Sequence, residues 1–456
     1  MTFYLDQVAE FAATTKFEDL PAPVIERTKY VIADCIAAIV GGSVEPEMKE
    51  LSTRLTSQSG VGTVLVIGTP LKTDPAKAAL LNGTAGTFLE MDEGNQFCKG
   101  HPGMHTFPAA FAYSQTHGTS GKDLITAIAI GYEVGARVGI ATNLRMSMHP
   151  HGTWGTICAA VGVARLAGFN TEQMKTLLNV SSNMSLATSR RTMLEGGTVR
   201  NLFTGVSNQM GVLACDLVLS GFTGEHDGIG NVFGKVVSDE FNSDAMTKNL
   251  GTHWEITRNY FKMHSCCRFN HAALDALNEI VQSHQSILVI DEIASIHVDT
   301  YFLAAELDDQ NPQNTLAGKF SVPFAIATTL INKSSGVNSF TWDAIRNPSI
   351  QSLADKITVS DNPEMSKKLP DLRPASVTIT LKSGRVLEAK TETNRGDWRD
   401  PYSVDEIIEK YNSLTACAWS AEHSSHIYDA VMAIDTSPSI TPLSDLIHQA
   451  AVHEAG

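Results

Sequence analysis

Several features that would assign a protein class directly are missing from this chain of 456 residues. Its seven cysteines are scattered and include no Cys-x-x-Cys pair, so the sequence indicates neither a zinc ribbon nor a disulfide framework. No uninterrupted apolar run approaches the roughly 20 residues that a membrane-spanning helix needs. The first residues also lack the basic and apolar regions of a signal peptide. These absences predict a cytoplasmic protein with reduced thiols.

Positive charge is also scarce. The 34 lysines and arginines face 49 aspartates and glutamates, which gives a net charge of −15. This balance argues against nucleic acid or an anionic membrane as a partner. A small anion can still bind where a few cations converge. The length and the 43% hydrophobic content predict a globular protein of two or three domains.

Apolar residues recur at helical spacing through the first half of the chain. The helical segments predicted in this way are 23–41, 75–90, 121–141, 154–168, 172–188 and 205–220. Ser120 with Asp123, and Asn170 with Gln173, have the spacing of capping boxes at helix starts. Segments 121–141 and 154–168 are apolar on almost every face, which predicts a buried helical core.

The pattern changes after about residue 256. Residues 295–301 alternate like a strand, and residues 376–391 have the pattern of a hairpin turning at Ser383-Gly384. Further helices are predicted near 268–284, 317–332, 403–413, 424–434 and 443–452. We therefore predict a mostly α fold. Residues 1–255 and 396–456 form a large all-helical domain, and residues 256–395 form a smaller α+β domain.

Residues 90–108 combine carboxylates, histidines and helix breakers. The ionisable groups in question are Glu90, Asp92, Glu93, His101 and His105. Pro102-Gly103 predicts that the segment is no regular helix, and a loop of this kind suits proton transfer. A solvated polar connection is the alternative. His101 and His105 are spaced like a metal-binding pair, but Pro102-Gly103 interrupts the helix and no third ligand is evident, so we predict no metal site.

Other breaker-rich segments carry basic groups. His149 and Arg200 each precede a predicted helix, where free backbone N–H groups favour an anion. Residues 261–271 contain Lys262, Arg268 and His271 at the change of pattern, and residues 318–324 end at Phe324. Taken singly, such residues are more typical of solvated helix caps or of packing. Cys266 and Cys267 are best interpreted as packing residues.

Together, and in this order, the segments resemble the MmgE/PrpD family, which includes 2-methylcitrate dehydratase, cis-aconitate decarboxylase and iminodisuccinate epimerase. Residues 82–93 resemble the family's "NG…LDFDD" segment, and His101-Pro-Gly resembles its His-Pro-Ser/Gly. Residues 149–156 resemble "HPTGTxGT", and residues 199–205 resemble "xKxLHxG". Residues 262–276 resemble "K…C…H…DA", and residues 319–324 resemble "xFSxPY".

The resemblance implies a helical domain built from both ends of the chain, an α+β lid, a homodimer, and an active site between the domains with no metal or organic cofactor. It implies a small anionic carboxylate as substrate. The residues that it assigns to catalysis are Asp92, His101, His149 and Lys262. The residues that it assigns to substrate binding are Glu90, Arg200, Arg268, His271 and Phe324.

Three positions depart from the family pattern. Glu90 replaces an aspartate, Arg200 replaces a lysine, and Phe324 replaces a tyrosine, while about one extra residue precedes His101. Because arginine binds a carboxylate as a planar fork and keeps its proton, we interpret Arg200 as a substrate clamp.

The shared chemistry of the family is the removal or replacement of a proton on carbon. We expect a cofactor-independent lyase that dehydrates a 2-methylcitrate-like hydroxy acid. Decarboxylation of an unsaturated tricarboxylate and epimerisation of an amino dicarboxylate are the alternatives. A non-catalytic binding protein or a metal-dependent hydrolase would lie outside this class.

Overall fold

The computed structural model describes residues 3–60, 62–284 and 288–453, and it confirms a mostly α-helical fold. The helices before residue 256 are α1 (Tyr4–Thr14), α2 (Ala22–Ser43), α3 (Pro46–Ser57), α4 (Pro75–Phe88), α5 (Pro102–His117), α6 (Gly121–Ala141), α7 (Gly155–Leu166), α8 (Thr171–Asn183), α9 (Arg191–Leu194), α10 (Leu202–Leu219), α11 (Gly228–Asn231) and α12 (Ser243–Thr247).

The later helices include both long and very short ones. They are α13 (Arg268–Ser283), α14 (Phe302–Ala305), α15 (Thr315–Lys319), α16 (Val322–Asn332), α17 (Trp342–Ile345), α18 (Pro348–Ala354), α19 (Pro363–Ser366), α20 (Val404–Thr415), α21 (Ala421–Met432) and α22 (Thr441–His453). Short 3₁₀ turns lie at Phe17–Asp19, Thr198–Asn201, Glu255–Arg258, Ile290–Glu292, Val337–Phe340 and Ile434–Thr436, and a π-helical turn lies at Val232–Val236.

The helix-start signals are confirmed. Helix α6 begins directly after Ser120, whose hydroxyl accepts a hydrogen bond from the Asp123 N–H at 3.1 Å. The capping boxes at Asn170 and Ser403 are present at the starts of α8 and α20. Each box satisfies backbone N–H groups that the first helical turn leaves without partners.

The strands form one larger sheet and two small ones. They are β1 (Val64–Leu65), β2 (Lys72–Thr73), β3 (Thr142–Leu144), β4 (Ser238–Phe241), β5 (Ile293–Thr300), β6 (Ile357–Asp361), β7 (Ala375–Leu381) and β8 (Val386–Thr391). The larger sheet has the order β6-β5-β7-β8, with β5 and β6 parallel and the other pairs antiparallel. The predicted strand at 295–301 and the hairpin at 376–391 are confirmed. The pairs β1–β2 and β3–β4 correct the expectation that the first domain is entirely helical.

The buried hydrophobic residues fall into two separate cores. The first, which we call the helical core, runs from Tyr4 to Phe261 and resumes from Ile407 to Ala450. The second, the lid core, contains Met193 and then residues between 266 and 389. The return of the C-terminal helices to the first core agrees with a discontinuous helical domain. The domain bounds themselves, 1–255 with 396–456 and 256–395, stay a prediction, and we call residues 256–395 the lid.

Two helical stretches are long and apolar enough to cross a membrane by length and composition alone. They are Gly121–Ala141 and Thr198–Leu219, of whose most apolar windows 94% and 39% are buried within the protein. Charged residues interrupt both stretches, Glu133 and Arg137 in the first and Arg200 and Asp216 in the second, so neither is the uninterrupted apolar run that the sequence lacks. Helix α6 belongs to the helical core, and core helices of this composition pass the same test.

Candidate active site

The loop between α4 and α5 carries two of the four predicted catalytic residues, Asp92 and His101. The expectation that Pro102-Gly103 would prevent a helix was wrong, because α5 begins at Pro102. Proline is favoured at the first helical position, where its fixed φ suits the helix and its missing N–H needs no partner. The Gly103 N–H donates to Glu93 Oε1 at 2.8 Å, and His101 occupies the N-cap position. The helix start thus holds His101 at the end of the loop.

His101 is oriented by one hydrogen bond and one nearby carboxylate. Its Nδ1 lies at hydrogen-bond distance, 2.5 Å, from the Glu93 carbonyl oxygen, and 3.0 Å from Asp92 Oδ2. A carbonyl oxygen only accepts, so this nitrogen carries a proton. Within residues 3–60, 62–284 and 288–453, His101 Nε2 has no hydrogen-bond partner, so it is left to exchange a proton with a ligand.

Asp92 is the anionic partner of His101. It is fully buried, and burial alone would raise its pKa. The charges of His101, Lys262 and Arg200 outweigh burial and hold the pKa of Asp92 below its ordinary value. Asp92 therefore stays ionised beside the imidazole of His101.

Glu90 is enclosed by two cations. Arg200 Nη1 forms a close ion pair with Glu90 Oε1. Lys262 Nζ donates to the Glu90 carbonyl oxygen at 3.1 Å, and it lies 3.5 Å from Glu90 Oε2 and 3.6 Å from Asp92 Oδ1. All four side chains are at most 2% exposed. Their paired charges offset one another, as buried charges must.

Lys262 keeps its proton in this setting. Burial would lower its pKa, but the charges of Glu90 and Asp92 outweigh burial and raise the pKa of Lys262. The ammonium group therefore provides a positive charge beside both carboxylates. A lysine with a raised pKa is a weak proton donor near neutral pH.

Two further imidazoles lie beside His101. The His151 ring centroid is 4.4 Å from that of His101 and 4.8 Å from that of His149. The His151 N–H donates to His149 Nδ1 at 3.0 Å, which fixes the proton of neutral His149 on Nε2. Burial, followed by the charge of Arg200, lowers the pKa of both His149 and His151. Both imidazoles are therefore neutral hydrogen-bonding groups at pH 7.

These groups surround a cavity of about 350 Å³ to which the helical domain and the lid both contribute. Its cationic lining residues are Lys99, Arg145, Arg190, Arg200, Arg268 and Arg373. Glu90 is the one carboxylate among its lining residues, which also include His101, His149 and His151. A larger open cleft of about 850 Å³ near Tyr4 and Asp227 has no imidazole in its lining. The smaller cavity is thus the better candidate for proton-transfer chemistry on an anion.

No group of three or more His, Cys, Asp or Glu side chains is placed to hold a metal ion in the part of the chain that the structure describes. The prediction that the protein works without a metal or cofactor stays a prediction.

Comparison with known proteins identifies the family of this chain. Residues 6–240 match the MmgE/PrpD N-terminal domain, and residues 264–436 match the MmgE/PrpD C-terminal domain. The chain belongs to the MmgE/PrpD family. The cis-aconitate decarboxylase of Aspergillus terreus (strain NIH 2624 / FGSC A1156) is 24% identical, with 97% of this chain and 95% of the relative covered. The cis-aconitate decarboxylase of Homo sapiens is 22% identical, with 92% of this chain and 90% of the relative covered, and that of Mus musculus is 22% identical, with 87% and 84% covered.

In this MmgE/PrpD protein, the predicted site residues separate into those that line the cavity, those that support the lining residues from behind, and Phe324, which lies elsewhere. The residues that line the cavity are Glu90, His101, His149, Arg200 and Arg268. Asp92 and Lys262 are not among the lining residues and contact the cavity-lining groups from behind. His271 likewise supports Arg268, because its Nδ1 accepts from Arg268 Nη1 at 3.1 Å while its Nε2 donates to the Cys266 carbonyl oxygen at 3.2 Å.

Phe324 is not brought into the cavity. It packs in the lid core, 6.0 Å from Phe340 between ring centroids, and it follows the N-cap Ser321 of α16. Its proposed contact with substrate is thus not reproduced in this arrangement. Cys266 and Cys267 are buried, as predicted, although Cys267 also lines the cavity.

Sequence reasoning missed several lining residues, among them Tyr260, His151 and Arg373. Burial raises the pKa of Tyr260 to about 12, against the charges of Lys262, Arg373 and Arg268. Its hydroxyl therefore stays protonated and available as a donor. His151 lies in segment 149–156, which resembles a family motif, so the sequence could have identified it as a site residue. Arg373 is far along the chain, in an irregular segment just before β7, and no local pattern marked it.

Proposed function

We propose that this protein is a lyase that acts on a polycarboxylate, and that its reaction is decarboxylation of an unsaturated tricarboxylate of the cis-aconitate type. The observation that carries this proposal is the free Nε2 of His101, held beside Asp92 in a cavity with six cationic lining residues and one carboxylate. The names of the relatives favour decarboxylation over dehydration, which the sequence alone placed first.

The proposed reaction needs one proton donor. A carboxylate leaves as carbon dioxide from a carbon next to the double bond, and the electron pair of the broken C–C bond forms the shifted double bond. The original π pair takes a proton at the far carbon. His101, protonated at Nε2 and stabilised by the Asp92 carboxylate, donates that proton. The negative charge that develops on the retained carboxylate is stabilised by the nearby arginines.

Dehydration of a 2-methylcitrate-like hydroxy acid is the second candidate, and Tyr260 favours it. Elimination of water needs a base for the carbon proton and an acid for the leaving hydroxyl group. The ring centroids of His101 and Tyr260 lie 6.4 Å apart at the same cavity. Neutral His101 takes the carbon proton, and the electron pair of that C–H bond forms the new double bond. The C–O bond breaks with its electron pair on oxygen, which takes a proton from the Tyr260 hydroxyl and leaves as water.

Neither reaction transfers electrons to an outside acceptor, and the chain supplies both the proton carrier and the cations. We therefore propose that the protein needs no organic cofactor or metal ion. We also propose a cytoplasmic location, in keeping with the seven cysteines, all of which are free thiols.

A homodimer is the proposed assembly. Helix α10 supports it, because Leu213 and Leu219 on this helix and Phe222 after it are exposed apolar residues. Exposed apolar surface of this kind favours association with another protein surface. Light scattering of the purified protein checks this proposal, since a dimer has twice the mass of one chain.

The test of function is a panel of di- and tricarboxylates, incubated with and without a chelator. Release of carbon dioxide from cis-aconitate supports the first proposal, whereas loss of water from a hydroxy acid supports the second. Incorporation of deuterium without net change would indicate epimerisation. The absence of turnover would favour a binding protein, and loss of turnover with chelator would favour a metal-dependent enzyme. His101→Gln should abolish the activity, whereas His117→Gln, at an exposed histidine, is the matched control.

A further inference from the structure

Three of the cations that line the cavity have no carboxylate partner among residues 3–60, 62–284 and 288–453. Arg145 pairs with Asp239 at 2.6 Å, Arg190 pairs with Glu306 at 2.7 Å, and Arg200 pairs with Glu90. The three unpaired cations are Lys99, Arg268 and Arg373. They leave uncompensated positive charge at the cavity wall.

Arg268 is held in place but has N–H groups to spare. It is the first residue of α13, and its guanidinium carbon lies 4.3 Å from the Tyr260 ring centroid. Nη1 donates to His271 Nδ1 at 3.1 Å and to the Arg395 carbonyl oxygen at 3.2 Å. Nε and Nη2 are buried and have no partner in the described chain. Buried donors without partners are costly, so a ligand that accepts from them is favoured.

Arg373, in the lid, also has a buried N–H donor without a partner among the described residues. It precedes β7, and its guanidinium carbon lies 5.3 Å from the Phe269 ring centroid. Nη2 makes one long hydrogen bond, of 3.4 Å, to the Gln96 carbonyl oxygen, while the buried Nε has no partner in the part of the structure that is described. Arg268 and Arg373 are 3% and 6% exposed, so neither guanidinium is solvated as a surface arginine is.

We propose that Arg268 and Arg373 together bind one carboxylate of the substrate, as an anion subsite separate from the His101, Asp92, Glu90 and Lys262 cluster. Planar guanidinium groups with free N–H donors match a carboxylate, which accepts two parallel hydrogen bonds. Charge supports the separation. In the His101 cluster the cations already face Glu90 and Asp92, whereas here the positive charge is uncompensated.

The subsite sets a requirement on the substrate. This inference rests on the proposed function, because it assumes a polycarboxylate. One carboxylate occupies the arginine pair while the reacting carbon is near His101, so a monocarboxylate cannot satisfy both ends of the cavity. Arg268 and Arg373 belong to the lid and His101 belongs to the helical domain, so a substrate that reaches both contacts the two parts of the protein.

Calorimetric titration with tricarballylate, a saturated tricarboxylate that has no double bond or hydroxyl group to react, tests the subsite. We expect Arg373→Gln and Arg268→Gln each to weaken its binding by about 10- to 100-fold, the range for loss of a charge-assisted contact. Arg373→Lys should lose part of this affinity, because it keeps the charge without the fork. Arg385→Gln, at an exposed arginine of the β7–β8 hairpin, should bind as the wild type does.

Butyrate, with one carboxylate, should bind weakly to every variant and show little loss on substitution. Affinity for tricarballylate within about threefold of wild type in both glutamine variants would overturn the subsite and leave the proposed function standing. Failure of the wild type to bind any polycarboxylate would overturn both. If Arg268→Gln fails to fold because His271 loses its partner, Arg373→Gln alone decides, since Arg373 makes only one hydrogen bond within the described residues.

Discussion

At the scale of single residues, His101 differs from the neighbouring imidazoles by its contact with a carboxylate. His105 is equally buried, and burial followed by the charge of His101 lowers its pKa to about 3. Burial is also the main cause of the lowered pKa values of His149 and His151. Asp92 lies 3.0 Å from His101 Nδ1, whereas His105, His149 and His151 have no ion pair with a carboxylate among the described residues. His101 is therefore the imidazole of the four that a carboxylate orients.

We expect His101→Ala and Lys262→Ala each to lower the turnover rate by at least about 100-fold, the usual size of an acid–base contribution. The first substitution removes the proton carrier. The second leaves Glu90 and Asp92 with one cation fewer and so disturbs the charge next to His101. Turnover at saturating substrate is the measurement, with circular dichroism to confirm the fold. Near-normal turnover in either variant would refute the catalytic importance of that residue.

The variant Arg200→Lys tests the interpretation that Arg200 binds a carboxylate of the substrate. Arg200 Nη1 is engaged by Glu90, but the residue lines the cavity and its buried Nε has no partner in the described part of the chain. Lysine keeps the charge and loses the fork, so binding should weaken by about 1–3 kcal/mol while the rate at saturation is largely kept. The Michaelis constant and the saturated rate separate these effects. A gain in turnover would instead mean that a lysine here acts as a proton donor.

Glu93 predicts a pH dependence of stability. Burial raises its pKa to about 8, although the Gly103 N–H donates to it. Between the ordinary glutamate pKa of about 4.3 and this value, the unfolded chain loses the proton that the folded protein keeps. Stability therefore falls as pH rises through this window, by up to about 1.4 kcal/mol per pH unit.

Glu93→Gln cannot titrate, so it should flatten this dependence. The melting temperature of the variant minus that of the wild type should increase from pH 5 to pH 8. The reason is that the wild type loses the stability linked to protonated Glu93 in this range, whereas the variant has no such group to lose. Glu10→Gln, at an exposed glutamate of α1, is the control. The same pH dependence in wild type and Glu93→Gln would show that Glu93 is ionised in the folded protein.

Some residues of the candidate site could be identified from the sequence and others could not. Glu90, His101, Arg200 and Arg268 lie in segments where breakers interrupt apolar periodicity, and such segments place side chains in loops at helix ends. Tyr260 and Arg373 meet the others only through tertiary packing. The ion pair between Arg200 and Glu90 also depends on a contact between residues 110 positions apart, which no spacing rule gives.

At the scale of elements, long helices with caps were the most predictable parts. Capping boxes and apolar periodicity are local, so α6 and α8 could be placed from a few adjacent residues. The two-residue strands β1 and β2 are too short for a period of two to be visible. Strand β6 pairs in parallel with β5 about 60 residues earlier, and a parallel partner leaves no turn signal between them.

The loop between α4 and α5 is held in place by two helices that are distant from it in sequence, α2 and α20. Asp34 of α2 accepts from the Glu93 N–H at 2.8 Å and pairs closely with Lys410 of α20. Lys410 Nζ also donates to the Met91 carbonyl oxygen at 2.6 Å. Both side chains are at most 2% exposed. The C-terminal segment therefore fixes the backbone that presents Glu90 and Asp92.

We expect Lys410→Met to lower stability by about 3–5 kcal/mol, the cost of leaving one partner of a buried pair without its counter-charge. The double variant Asp34→Asn with Lys410→Met removes the orphaned charge and should recover part of this loss. Thermal unfolding of the four proteins in the cycle measures both effects. Equal melting temperatures for the single and double variants would contradict the pairing. Lys49→Met, at an exposed lysine of α3, is the control.

At the scale of the whole molecule, and apart from Met193, the described chain passes between the helical core and the lid core twice. One crossing follows Phe261 and the other precedes Ile407. The Phe261 N–H donates to the Gly396 carbonyl oxygen at 3.2 Å, so the two connecting segments lie side by side. Gly396 has a φ of 84°, a conformation that side chains disfavour. Two adjacent connections are the arrangement expected of a hinge between two rigid cores.

The lid should therefore rotate as a rigid body when a polycarboxylate binds. The cavity is lined from the helical domain by His101 and from the lid by Arg373, so an anion that contacts both favours closure. Closure also excludes water while negative charge develops on carbon. Structures of the free protein and of its tricarballylate complex should differ by a rotation of roughly residues 256–395 about the Phe261–Gly396 contact. The hydrogen bond from Gln96 Nε2 to the Asp371 carbonyl oxygen, 3.0 Å here, should be longer in the more open state. The same interdomain geometry with and without ligand, in more than one crystal form, would show that the cavity is preformed and that substrate enters without lid movement.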